Sequence, residues 1–281
     1  CSSLKYVAIT DGVKSIGGYA FWNCEALTRI VIPESVESIS FNPFKGCEQL
    51  RSIEIAEGNQ HFKVVDGVIF NKEMTRLISY GACTKNEYAI QNTVTSIENS
   101  AFDGCSGLTS VVIPDSVESI GIAAFASCSF SSVKIPGSVT SFGGNPFLWC
   151  NKLEVVDVSE NTNFVFVDGV LMDREMTQII YCSPSKSGEY NIPNTVVSVL
   201  QNAFRGCRQL TSVTIPDSVR SIGWSAFDSC SGIKSITIPA SVTSISELAF
   251  DCCYDLKTVS VPNNLRYPSN AFPKGATINK Y

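Results

Sequence analysis

The sequence predicts a solenoid of short parallel strands, coil stacked on coil, and three observations carry that prediction. IPDSVESIGIAAFASC at 113 to 128 returns almost unchanged as IPDSVRSIGWSAFDSC at 215 to 230. Aligned on the Ile-Pro step, the chain shows slots at Thr10, Pro33, Ala56, Gln91, Pro114, Pro136, Ser159, Pro193, Pro216, Pro239 and Pro262, most of them 23 residues apart and one pair 22 apart. A short fixed period marks units that cannot bury an apolar face alone and must stack on their neighbours. Within each unit, apolar alternation is cut off by a proline and followed by a second, shorter apolar pattern.

The elements of one unit follow in order from its consensus, C-x-x-L-x-x-V-x-I-P-x-S-V-x-S-I-x-x-x-A-F-x-x-C. Val111 and Ile113 alternate as in a strand with one buried face, and Pro114 ends the ladder because it has no N–H to donate. Val117 and Ile120 then turn two more apolar side chains inward, in a short extended segment. Ala124-Phe125 through Cys128 has the i, i+3 spacing of a single helical turn, which closes the return side of the coil. Two steps are wider, 35 residues from Ala56 to Gln91 and 34 from Ser159 to Pro193. Inside them HFKVVDGVIFNKEMTRLISY, at 61 to 80, matches FVFVDGVLMDREMTQIIY, at 164 to 181, at an offset of 102. Asp-Gly between alternating apolar residues is a hairpin signal, because a tight primed turn needs positive φ at its centre. Hairpin units are therefore expected at about 57–90 and 160–192. Asn42-Pro43-Phe44 and Asn145-Pro146-Phe147 precede them at matching places, so the array also repeats at about four turns. Residues 263–281 drift from the motif as a capping turn does. The chain begins at Cys1, in register with the repeat, and is expected to be a piece of a longer protein whose missing sequence lies mainly before Cys1.

Twelve cysteines raise the question of metal or disulfide chemistry. Cys1, Cys24, Cys47, Cys105, Cys128, Cys150, Cys207, Cys230 and Cys253 occupy one repeat slot, which predicts a buried column of free thiols. Coils stack about 5 Å apart, within disulfide range, but equivalent side chains point the same way rather than at each other. Cys83 and Cys182 belong to the two hairpin units, roughly 20 Å apart on the same spacing and too far to bridge one another. Cys252 is the odd neighbour of a column member. Ser15, Ser38, Ser96, Ser119, Ser141, Ser198, Ser221 and Ser244 form a second column, expected to hydrogen-bond backbone groups between coils.

Chemistry finds little foothold. No close C-x-x-C pair offers zinc its ligands, and His61 is the single histidine, which leaves no His-based triad or multi-histidine site. Asp66 and Asp168 read as turn residues, since neither has the oxygen-rich run of a calcium loop. No cofactor or metal is expected. Charge is modest, with a net -5 and 21 scattered Lys and Arg, so nucleic acid is not an expected partner. No stretch approaches the roughly 20 apolar residues of a membrane-spanning helix, and direct membrane insertion is not expected.

At I-P-x-S-V-x-S-I-G-x-x-A-F-x-x-C-x-x-L-x-x-V, repeated in about nine units, the chain resembles the BspA type of leucine-rich repeat protein along essentially its whole length. The resemblance implies one leucine-rich repeat solenoid domain over 1–281, right-handed, with a parallel sheet on one face. It also implies a surface or secreted protein that adheres to host matrix proteins, epithelia or other microbes, and no shared catalytic residues.

The outward strand positions are mostly small and neutral. Larger or charged side chains stand at Tyr6, Arg29, Glu54, Lys134 and Asp157, and these are the candidate ligand-binding residues. The strand-face carboxylates Glu54 and Asp157 belong to coils about 20 Å apart, beyond the roughly 10 Å reach of paired-carboxylate catalysis, so an enzyme is not expected. The expected function is recognition of a protein or glycan by a monomeric cell-surface or secreted module, with an architectural spacer as the alternative.

Overall fold

The computed structural model describes residues 1–281. Its residues cluster into two compact units, Cys1–Lys152 and Leu153–Tyr281.

In the first unit, Tyr6–Ala8, Arg29–Ile32 and Ser52–Ile55 form a parallel sheet in strict coil-to-coil register, Tyr6 opposite Arg29 and Arg29 opposite Ser52. Glu87–Ala89 and Ser110–Val112 pair in the same way. The second short segment of each coil is also a strand: Arg76–Tyr80, Ser96–Ile97, Ser119–Ile120 and Ser141–Phe142 pair in parallel. Alternation behaves as the sequence requires, since Val111 and Ile113 are buried and Val112, between them, is 60% exposed.

The second unit repeats the plan. Gly188–Asn191 pairs with Leu210–Thr214, and Ser235–Thr237, Thr258–Val261 and Thr277–Lys280 form a parallel three-stranded sheet. Gln178–Cys182, Ser198–Val199, Ser221–Ile222 and Ser244–Ile245 form its second ladder. The drifting C-terminal residues still stack as a coil: Phe272 lies 5.2 Å from Phe250, ring to ring, and the Tyr281 hydroxyl donates to Ile238 O at 2.8 Å.

Each wide step contains an antiparallel meander. In the first unit Phe62–Val65, Val68–Asn71 and Arg76–Tyr80 run up, down and up; in the second, Phe164–Val167, Val170–Asp173 and Gln178–Cys182 do the same. The Asp-Gly turns take the left-handed conformation at both central residues, with φ +52 and +77 at Asp66-Gly67 and +51 and +77 at Asp168-Gly169. Each aspartate carries a lysine partner, Lys85 at 2.8 Å and Lys186 at 2.6 Å.

The return side departs from expectation, because the segment around Ala-Phe forms successive turns and the chain contains no helix. The reason lies in the backbone. In six coils two residues, four apart, sit at positive φ: Tyr19 and Asn23, Ser100 and Gly104, Ala123 and Ser127, Asn202 and Gly206, Ser225 and Ser229, Leu248 and Cys252; the two Asn-Pro-Phe coils keep only the second, at Gly46 and Trp149. A left-handed residue breaks an α-helix, so the i, i+3 spacing reports two linked turns. These turns release N–H groups sideways to the next coil, as in Phe204 N to Ala226 O at 2.7 Å and Gly206 N to Asp228 O at 2.8 Å.

Candidate functional site

Three of the five candidate residues share one sheet. Tyr6 is 68% exposed, and Arg29 beside it donates through Nε and Nη2 to the two carboxylate oxygens of Glu54, at 2.7 and 2.6 Å. That hydrogen-bonded pairing holds the Glu54 carboxyl below its usual range and the Arg29 guanidinium above its own. The patch is therefore a tyrosine ring next to a closed ion pair in which both charges already have partners. Lys134 lies in the strand Ser132–Lys134 of the first unit, remote in sequence from that sheet. Asp157 lies in the second unit, where its Oδ1 accepts from Ser159 N at 2.9 Å.

The cysteine column is mostly as expected, and its hydrogen bonding explains the residue type. Cys47 Sγ donates to Phe21 O at 3.1 Å, Cys150 to Phe125 O at 2.9 Å, Cys230 to Phe204 O at 3.0 Å and Cys253 to Phe227 O at 3.0 Å, in each case one coil back. A small apolar side chain that still offers one weak donor suits that slot. Burial pushes the Cys47 thiol up to about 11 and those of Cys150 and Cys253 up to about 12, with Cys128, Cys182 and Cys230 raised for the same reason. Protonated, buried thiols are poor nucleophiles at neutral pH.

Two members correct the expectation of a buried, free column: Cys1, in the first coil, is exposed, and Cys105 is disulfide-bonded to Cys83, with Cα atoms 5.5 Å apart. The argument from parallel side chains holds between equivalent positions, whereas Cys83 follows the meander and reaches the column from outside its register. A second correction concerns the serines. Ser15, Ser38 and their equivalents stand opposite one another in the short strands, and Ser221 bonds Ser198 side chain to side chain at 2.9 Å. The coil-to-coil bonds come from a different serine, the one after Pro-x: Ser35 Oγ to Val13 O at 2.9 Å, Ser116 to Val94 O at 2.7 Å and Ser138 to Val117 O at 2.7 Å.

The structure adds a cleft that the sequence did not announce. In the coil before the first meander, Phe44 N turns to Asn42 Oδ1 at 3.3 Å, and Phe147 N does the same with Asn145 Oδ1 at 2.9 Å. After the first of these coils the chain runs out into the meander, and Tyr80 to Cys83 come back displaced. A cleft of about 410 Å³ is left between the coil carrying Lys45, Gly46 and Arg51 and the coil carrying Asp103 and Ser106, with Tyr80 and Cys83 in its wall. Buried Asp103 is ion-paired to Lys45 at 2.8 Å; burial raises its carboxyl, and hydrogen bonds from Lys45 and Tyr19 oppose that rise. The Asn-Pro-Phe tripeptide was the available sign of this break.

Elsewhere, Asp228, Asp251 and Cys252 bring ligand-type atoms within 4.8 Å of one another, but Asp228 is committed to Arg205 at 2.8 Å and to Ser229 at 2.9 Å. His61 is exposed, its amide bound to Asn59 Oδ1 at 2.8 Å. No helix of the chain is long and apolar enough to cross a membrane.

Parallel coils, a thiol and phenylalanine interior and a solvent-facing strand surface define a β-solenoid repeat protein. A model of the BspA type leucine rich repeat region matches residues 1–80, 76–185 and 175–280, in six copies, and the chain belongs to that family. Among curated proteins no match is found. Solved structures with the same fold include a leucine-rich repeat protein from Eubacterium ventriosum, 25% identical with a TM-score of 0.57, covering 93% of this chain; this chain spans 65% of the length of that one. A leucine rich cell surface protein from Faecalibacterium prausnitzii is 22% identical with a TM-score of 0.60, covering 99% of this chain and 86% of its own. The pneumococcal vaccine antigen PcpA is 22% identical with a TM-score of 0.58, covering 91% of this chain and 69% of its own.

Proposed function

We propose that this chain is a non-enzymatic recognition module of a cell-surface or secreted protein, binding a protein or glycan on host or neighbouring cells through its strand face. The observation that carries the reading is the patch on the first sheet, where the exposed Tyr6 ring stands in register beside the Arg29–Glu54 pair. A large aromatic next to a guanidinium is the composition of binding anchors, and extended faces of repeat proteins serve as such surfaces. Family membership and the likeness to a protein described as cell-surface support the setting. Lys134 and Asp157 are proposed as outlying contacts. Residues 1–281 are taken as one right-handed domain acting as a monomer.

The test is an array of matrix proteins and glycans probed with the wild-type chain and with Tyr6→Ala, Arg29→Ala and Glu54→Ala. Tyr6→Ala is expected to weaken any captured ligand about tenfold or more, the scale of a binding anchor. Arg29→Ala and Glu54→Ala should each weaken it less, because the pair is internally satisfied. Ligand captured equally by all four proteins sinks the patch, and an array with no captured ligand favours the spacer reading.

A further inference from the structure

We propose that the cleft beside the first meander is a binding site for a carboxylate-bearing sugar residue, separate from the strand face and independent of the reading above. The starting point is an incomplete ladder. In regular coils the left-handed residue of the return side donates its N–H to the next coil, as Gly104 does to Ala126 O at 3.0 Å, and the residue before it donates back within its own turn, as Asp103 does to Ser100 O at 3.0 Å. The coil that precedes the meander loses both acceptors. Its neighbour is displaced, and Asn42, unlike Ser100, is not left-handed, so its turn does not close on Lys45 N; its side chain accepts from Phe44 N instead. The amides of Lys45 and Gly46, two successive N–H groups ending in a left-handed glycine at φ +76, meet no acceptor within the protein. Both residues line the cleft. Consecutive amides around a left-handed residue form a concavity for an anion, and unpaired backbone donors in a recess favour a ligand that supplies acceptors.

Charge points the same way. The Lys45 ammonium and the Asp103 carboxylate neutralise each other. Arg51 has no carboxylate partner; its Nη1 donates only to the carbonyls of Glu48 and Leu50, at 2.7 and 3.2 Å, leaving the rest of the fork for a ligand oxygen. Glu48, at the exposed rim, is the one charge that opposes an anion. The volume of about 410 Å³ lies at the small end of ligand pockets, the size for one ring and not for a chain. The mixed wall, with Leu50 and Phe44 beside amides and a guanidinium, suits a ring with apolar faces and a polar edge.

The experiment is saturation-transfer NMR on the full chain with glucuronate and N-acetylneuraminate, against glucose and acetate, followed by titration of the responding acid. Transfer is expected to the two acids and not to glucose. Because the two flanking charges act in opposite senses, Arg51→Gln should weaken binding about tenfold and Glu48→Gln should tighten it severalfold, both at exposed positions that leave the fold intact. Ser106→Trp, which fills the cleft from its rim, should abolish it. Equal transfer to glucose removes the carboxylate, and acetate competing as well as glucuronate removes the ring. Absence of transfer to either acid, or affinities unmoved by both charge variants, overturns the site. None of these variants touches Tyr6, Arg29 or Glu54, so the outcome leaves the strand-face reading to its own test.

Discussion

The two meanders begin alike and are fastened differently. Both turn on Asp-Gly in the same left-handed pair of conformations, and both tie the turn aspartate to a lysine further along. In the first unit the chain that leaves the meander is then bridged covalently, Cys83 to Cys105. In the second, the residue 102 places after Cys83 is Ser185 (83 + 102), and Cys207, equivalent to Cys105, keeps a free thiol 3.6 Å from Cys182 O. Ser185 instead shares a 2.8 Å hydroxyl bond with Ser183, and Lys186, nearly buried, lies 4.8 Å from the Tyr190 ring centre. The phenylalanine stacks differ too. Phe204, Phe227 and Phe250 follow one another at 4.8 and 4.9 Å in nearly parallel planes, whereas in the first unit Phe21 and Phe44 stack and Tyr80 then meets Phe102 edge-on. The antiparallel pairing and its turn specify the meander. The fastening behind it is free to vary, and where it varies, it changes what lies open next to it.

The strongest way to break this comparison is to cut the regular stack. Phe227→Ala removes a fully buried ring held between two others, and is expected to cost about 3–5 kcal/mol in urea unfolding. A loss below about 1 kcal/mol means that coil-to-coil ring packing does not hold the second unit together. Next in size is the bridge. Cys83→Ser opens a loop closed over a separation of 22 residues and is expected to lose about 3 kcal/mol under oxidising conditions, with no difference from wild type in reductant. The converse change sharpens the comparison: Ser185→Cys should pair with Cys207 and remove one free thiol from the count. If that thiol count instead rises by one, the new thiol has stayed unpaired and the two meander exits are not equivalent.

The repeat made much of this readable beforehand, because any rule true of one coil is printed several times over. Strand positions, the thiol column and both Asp-Gly turns follow from spacing alone. The return side misled, since two left-handed residues four apart leave the same apolar spacing as one helical turn, and Ala123, Ser127 and Leu248 are not residue types that advertise positive φ. Cys83 was hidden for the opposite reason: it stands outside the period, so no periodic argument reaches its partner. Asn42-Pro43-Phe44 was visible as a repeated tripeptide, but its meaning, an acceptor supplied where the next coil is missing, needs the displaced neighbour to be seen. The candidate residues Tyr6, Arg29 and Glu54 were legible as neighbours through register. That Arg29 and Glu54 close on each other was a matter of side-chain reach.

The return-side slot that ends each linked turn gives the finest comparison. It is glycine at Gly46, Gly104 and Gly206, and a residue with a Cβ at Asn23, Ser127, Trp149, Ser229 and Cys252, all at positive φ. A Cβ in that conformation costs roughly 1 kcal/mol, offset in part by the greater freedom glycine has in the unfolded chain. Ser127→Gly is therefore expected to stabilise the protein by about 0.5 kcal/mol, since Ser127 N keeps its 2.8 Å bond to Leu148 O. Gly46→Ser should do the reverse and by more, because a Cβ there would come within van der Waals overlap of the Asn23 side chain as well as adopting the strained φ. Chemical unfolding of the two variants decides it: a Gly46→Ser protein as stable as wild type means that glycine flanks the first meander for no steric reason.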